Sequence, residues 1–418
     1  MTAPGGDRIA RMADAASPYA PGTIGDEPGP PRPAGSAALF VIATFAMVVI
    51  GPGYLGIPWS RLVTGAQFAD DRTLLFYVLC CAPTVLVVVW ALVSDAWPIM
   101  DTRREGHLLL AALLAAIAWL ALPFVLDNRI AWTLTWSANT VANAIAAAAV
   151  GGAMVEIGRR QGATGRLAAA WIGAIILAGL TADPARTVLA AMQPGWAAGV
   201  CVGLAMAVVL LIGVLPKPTG EPARVVAAPA ALRTYLRARV LWASAAVQAC
   251  GAFASIPDEV IRAADWSATA HAANLVAQLV SCGVYFFLCR RIAFADLLRR
   301  ALLLNCVVVI ALIRVWNPAG GGGQTVALIG QGLMEAFVEV ALTDLLIRTA
   351  PEGREAFGCA LLTAVYLAAW AGWKLLASSL GLSLSAATTV VALASVVSTL
   401  AVGLLPASVL VRREGERS

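Results

Sequence analysis

WALVSDAWPIMDTRR, residues 90–104, decides how the rest of the chain is read. It stands between two long apolar runs. One run ends at the acid Asp95, and the bases Arg103 and Arg104 precede the next. A short polar hinge between two membrane helices has one main use. It locks the helices together on one face of the membrane in one conformation and lets them part in another. Charge-assisted hydrogen bonds among Asp95, Arg103 and Arg104, and from them to helix ends, can hold one packing of a helix bundle. The plain alternative is an ordinary basic loop on the cytoplasmic side.

Working outward, the flanking runs are two of many. The 418 residues are 60% hydrophobic and 13% charged, with a mean hydropathy of +0.81. A soluble domain has nowhere to put that much apolar surface. Runs of about 18 or more apolar residues recur along almost the whole length, each enough to cross a hydrocarbon core as a helix. We count twelve spans, at about 37–58, 74–94, 107–126, 131–155, 166–182, 196–215, 239–257, 268–289, 298–316, 324–347, 356–377 and 384–411. Asp183-Pro184 interrupts the pattern after the fifth. The expectation is an all-α polytopic membrane protein.

The basic residues test this map. With a cytoplasmic N-terminus, the cytoplasmic segments hold 22 Lys and Arg and the opposite loops hold 6. That bias matches an even span count with both termini cytoplasmic. A cell inner membrane is the expected location, and the lipid bilayer the expected partner. The net charge of +5 then reflects topology, so no nucleic-acid partner is expected.

Residues 1–36, rich in Pro, Gly and Ala, read as a disordered cytoplasmic tail. They lack the basic stretch and apolar core of a cleaved signal. Residues 37–216 form a first set of six spans. A linker at 217–238, rich in Pro and basic residues, separates them from six more at 239–411. Residues 412–418 are a short cytoplasmic tail. The eight cysteines lie in or beside apolar runs without a CxxC pair or metal spacing, and read as small core residues. No metal or cofactor is expected. Gly51-Pro52-Gly53 would break the first span, as a flexing point or a helix end.

Two six-helix halves joined by a basic linker resemble the major facilitator superfamily, whose halves are related by an axis along the membrane normal. Ser94-Asp95, Pro98-Ile99 and Arg103-Arg104 resemble its signature between helices 2 and 3, and more closely that of the folate–biopterin transporter family. Ala350-Pro351-Glu352-Gly353, followed by Glu355-Ala356-Phe357, is similar to that family's Pro-x-Gly-x-Glu-Ala segment. Glu156 followed by Arg159 resembles the end of its fourth helix. The family usually has Gly at Asp101, an aromatic at His107, and an acid where this chain has Gly151-Gly152. The resemblance implies alternating access, with a small-molecule substrate of the folate or pterin class. Apart from the resemblance, Glu156 with Arg159, and Glu355 with Arg354, can join Asp95, Arg103 and Arg104 in one cytoplasmic gating cluster.

The tenth span carries the other signal. Glu335 and Glu339 lie four apart, hence on one helical face, with Gln331 one turn earlier. Glu335 falls near the bilayer midplane. An intramembrane acid is costly and marks function by default. Two carboxylates on one buried face cannot both stay charged without cost, so one is suited to carry a coupling proton. A pterin ring also presents N–H donors that a carboxylate can meet. Asn139 and Asn143 on the fourth span and Gln248 on the seventh are candidate cavity residues by analogy, or helix-packing polar groups. Asp344 reads as the partner of Arg348. Lys374 reads as a snorkelling base or an anion attractor.

No Walker sequence, nucleophile elbow or metal cluster appears, so an enzyme or ATP-driven pump is not expected. Two further classes stay open. One is a facilitator that exports drugs or metabolites. The other is a non-transporting membrane assembly factor on the same scaffold.

Overall fold

The computed structural model describes residues 34–50, 86–100, 102–125, 128–214, 229–256, 268–315 and 322–410. Residues 1–33 of the expected N-terminal tail, the Gly51-Pro52-Gly53 break, most of the second span, the first part of the linker and the C-terminal tail fall outside those residues. The last three residues expected in that tail, 34–36, are instead helical, because Ala34, Gly35 and Ser36 carry no charge and continue the apolar run that follows.

The described chain is helical, as the apolar runs demand: in lipid each backbone polar group must be satisfied within its own segment. The first group of helices is α1 (Ala34–Ile50), α2 (Val87–Ala96), α3 (Glu105–Val125), α4 (Arg129–Gln161), α5 (Thr164–Ala191) and α6 (Pro194–Val214). A linker helix, α7 (Pro229–Arg237), precedes α8 (Arg239–Ala252), α9 (Ala268–Leu288), α10 (Phe294–Val315), α11 (Gly322–Thr349), α12 (Glu355–Ser379) and α13 (Leu384–Ala401). Among the described residues, eight helices are long and apolar enough to cross a bilayer. Each expected span overlaps one of these helices among the described residues.

Local chemistry sets the ends. Asn128 caps α4, its side-chain oxygen accepting from the Ile130 and Ala131 amides, and left-handed Gly162 closes it. Ser383 caps α13 through the Ala386 amide. Two boundaries differ most from expectation. Helix α5 runs on through Pro184 to Ala191, because a proline in a membrane helix can be accommodated by neighbouring groups. The last span ends at Ala401 and passes through a 3₁₀ turn, Val402–Leu404, to a short helix, Ala407–Leu410.

Within the first group, α3 packs on α4 and α6, and α1 packs on α4, α5 and α6. Within the second, α11 packs on α9 and α10, α10 on α13, and α8 on α12. The two groups meet where α5 lies against α9 and α11, and where α12 lies against α2 and α4. The first core is built on Phe40, Leu108, Trp119, Trp136 and Met154 with many alanines. The second joins Tyr285, Phe294, Leu342 and Phe357 to Ala168 and Ile172 of α5. Many apolar side chains also face outward, with Phe124, Val214 and Leu400 well exposed. That arrangement suits a hydrocarbon solvent.

Candidate functional site

The hinge is a tight loop closed by the paired backbones of Ile99 and Thr102, with Met100 at φ 54° in the left-handed region. Gly106 lies directly under it. A Cβ there would stand 2.3 Å from the Ile99 carbonyl oxygen, so only glycine permits the approach. The ring of His107 hydrogen-bonds the Trp97 carbonyl at 2.7 Å and braces the same loop.

This loop delivers Arg104 into the interior, where it is fully buried. Its guanidinium donates to Asp95 Oδ1 at 2.6 Å, to Ser94 Oγ at 2.9 Å and to Glu355 Oε2 at 3.4 Å. Glu156 stands 4.0 Å from Arg104 Nε, a charge contact without a hydrogen bond, and pairs with Arg160 at 3.3 Å. Arg103 donates to the Gly353 carbonyl at 2.6 Å and forms an ion pair with Glu355 at 3.0 Å.

Asp95 does more than balance Arg104. Its carboxylate accepts the backbone N–H of Ala356 at 3.2 Å and of Phe357 at 2.8 Å. These amides belong to the first turn of α12, which has no partners of its own for them. An acid of the first group thus caps a helix of the second, where the helix field favours negative charge. Arg159 makes the complementary contact. Its guanidinium donates to the carbonyls of Ile347 and Arg348 at 3.0 and 2.8 Å, at the C-terminal end of α11. Acid on an N-terminus and base on a C-terminus join the two groups at one end of the bundle.

Gly152 gives Arg104 its room. A Cβ at this position of α4 would lie 2.6 Å from Arg104 Cζ and 2.8 Å from Ala356 Cβ. The glycine is the slot through which Arg104 reaches Asp95. Overpacking of this kind costs roughly 1–3 kcal/mol. Gly152→Ala should therefore lower the thermal midpoint of the purified chain. Gly283→Ala, where an added Cβ meets nothing within 4 Å, should not. Equal midpoints would show that the slot is not tight.

The hinge residues expected to gather, Asp95, Arg103, Arg104, Glu156, Arg159 and Glu355, are thus all found at this one end. The midplane candidates stand on separate helices. Glu335 and Glu339 are both partly exposed on α11. Tyr366 of α12 lies within electrostatic reach of both, and Cys282 of α9 within reach of Glu339. Asn139 is 3% exposed, and neither its amide oxygen nor its nitrogen meets a hydrogen-bonding partner. Asn143 spends its nitrogen on the Asn139 carbonyl, and Gln248 donates to the Leu342 carbonyl at 2.7 Å. Gln248 therefore serves helix packing here. So does Asn274, which donates to the Leu328 carbonyl at 2.8 Å.

The expected Asp344–Arg348 pair is present at 2.8 Å. Sequence reasoning missed that Tyr285 donates to Asp344 at 3.0 Å and that Arg348 lies over the Phe294 ring. It also missed Gly152 as part of the hinge, because a small residue one helical turn from a charge, here Glu156, is too common a signal to single out. Lys374 lies over the Trp370 ring, 3.8 Å from its centroid.

Helix order, the cross-group contacts and the hinge define a polytopic membrane protein of the major facilitator fold. Comparison with solved structures gives that likeness its measure. A crystal structure of the major facilitator superfamily transporter FucP in the outward conformation is similar to 88% of this chain and 97% of its own, with a TM-score of 0.69 at 13% identity. A bacterial homologue of the iron transporter ferroportin, in an outward-facing state, matches over 88% of this chain and 98% of its own, with a TM-score of 0.64 at 14% identity. The proton:xylose symporter XylE bound to 6-bromo-6-deoxy-D-glucose matches over 87% and 94%, with a TM-score of 0.61 at 13% identity. No protein-family model matches the chain, and no curated protein sequence does.

Proposed function

We propose that this chain is a secondary active transporter working by alternating access, coupled to protons through Glu335 and Glu339. One observation carries the reading. The two helix groups are tied at one end by Asp95 on the amides of α12 and Arg159 on the carbonyls of α11. Contacts of this type are strong when made, yet each partner has a role only while the ends are together. They suit a joint that opens. The likeness to FucP in its outward conformation supports a state closed at the hinge end and open opposite. The excess of basic residues at that end supports a cytoplasmic hinge in an inner membrane, with both termini cytoplasmic and the domain boundaries at 37–216 and 239–411.

The cargo in this reading is a small organic solute, and the hinge resemblance favours the folate or pterin class. Pterin N–H groups match the carboxylates of α11, and the unspent amide of Asn139 offers both a donor and an acceptor. A specific observation favours a second reading. Glu335 and Glu339 are the only charged residues more than five positions from both ends of any expected span, and acids suit an exported cationic drug or metabolite. Proteoliposome flux separates these. Radiolabelled folate, biopterin and tetraphenylphosphonium would be offered to the reconstituted chain with and without a pH gradient. Gradient-dependent flux of a pterin or folate supports the first reading, and of the cation the second. No flux of any, with a protein partner retained through purification, would replace both with an assembly factor.

A further inference from the structure

Helix α7 lies within the expected linker, a single residue before the membrane helix α8. Tyr235 on its inner side is 4% exposed. The Tyr235 ring meets Phe357 edge-on, with centroids 6.3 Å apart. Phe357 is the residue whose backbone N–H Asp95 holds at 2.8 Å. The linker helix and the hinge acid therefore bear on the same turn of α12.

The other side of α7 is unlike a solvated linker. Arg233 and Arg237 stand one helical turn apart and are exposed, as is Arg239 at the start of α8. Beside them, Leu236 is 39% exposed and Trp242 62%. The Trp242 indole N–H donates to the Leu236 carbonyl at 2.8 Å, which fastens α7 to α8 and sets the ring at their junction. The hinge cluster uses none of these arginines.

Arginines next to an exposed leucine and tryptophan, at the mouth of a membrane helix, match one surface in both respects. Anionic headgroups complement the guanidiniums, and the headgroup–acyl boundary accepts the apolar side chains. A soluble acidic protein would meet the charge but leave Leu236 and Trp242 in water. We propose that α7 and the start of α8 form a binding surface for anionic phospholipid, and that lipid held there stabilises the closed hinge through Tyr235 and Phe357. The second half of this proposal rests on reading the hinge as a gate. The first half stands without it.

The test uses the full chain, with native cysteines replaced and spin labels at exposed positions Gln161 and Glu352, one on each side of the hinge end. It is reconstituted in phosphatidylcholine vesicles with or without an equal part of phosphatidylglycerol. Phosphatidylglycerol should raise the closed-to-open ratio read from the label distances by about five-fold or more, the contribution of one arginine near an anionic surface. A chain with Arg233→Gln, Arg237→Gln and Arg239→Gln should lose that response while keeping the distances seen in phosphatidylcholine alone. Tyr235→Ala should still bind phosphatidylglycerol, read as the brominated-lipid quenching that is lost when Trp242→Phe is added, but lose the distance response. An unchanged response in the triple variant would overturn the proposal. So would an equal response to inorganic phosphate in phosphatidylcholine vesicles, since a free anion would then be the ligand. None of these readouts needs transport, so a failed flux assay and a failed lipid response are separate results.

Discussion

An Asp95→Ala chain is expected to lose its closed hinge. The substitution removes the nearest partner of buried Arg104 and the acceptor of two amides of α12 at once. Removing one partner of a buried ion pair typically costs about 3–5 kcal/mol. Glu355 at 3.4 Å and Glu156 at 4.0 Å would still face the guanidinium, which places the loss at the lower end. The closed-to-open ratio should then fall by roughly a hundredfold. Labels at the hinge end should move apart, and transport should slow far more than substrate affinity weakens. Asp95→Asn keeps one acceptor oxygen for the α12 amides and should fall between the two. Wild-type transport rates in Asp95→Ala would remove the gating role.

Glu335→Gln is expected to abolish pH-driven uptake without removing the protein from the membrane. Glutamine keeps the size and hydrogen-bonding capacity of the side chain but cannot exchange a proton. A coupling residue so replaced should leave substrate exchange running down its own gradient while losing all response to an imposed pH gradient. Glu339→Gln separates the two acids, since both are partly exposed on one face of α11. Loss of coupling in both single variants means the pair acts as one carrier, and coupling kept in Glu339→Gln alone places the exchanging proton on Glu335. Pumping by Glu335→Gln at the wild-type rate would end the coupling proposal. A merely structural acid would instead show reduced amounts of folded protein with coupling intact.

How much of this was legible beforehand varies with the residue. The helices were legible because a bilayer leaves the backbone no alternative. The gathering of Asp95, Arg103 and Arg104 was legible because they share one short loop. Glu355 and Arg159 were legible only as charges on the same side of the membrane, since they lie about 250 and 55 positions from Arg104. The acids of α11 were legible by cost: a carboxylate deep in an apolar run has few structural excuses. Gln248 was not. A glutamine facing a cavity and one donating to the Leu342 carbonyl look identical in a sequence. Tyr235 was hidden in a Pro-rich linker.

The sequence by itself determined that the chain crosses a membrane many times, which end carries the basic residues, and where the deep acids fall. Those are properties of single segments in their solvent, set by hydrophobic length and desolvation. Tertiary structure alone decided that Asp95 caps α12 and Arg159 caps α11, that Gly152 opens the way for Arg104, and that Tyr235 reaches Phe357. Each of those depends on two helix ends brought face to face by packing between groups distant in the chain. A side chain's use there is fixed by the orphan amide or carbonyl it meets, which no local pattern records.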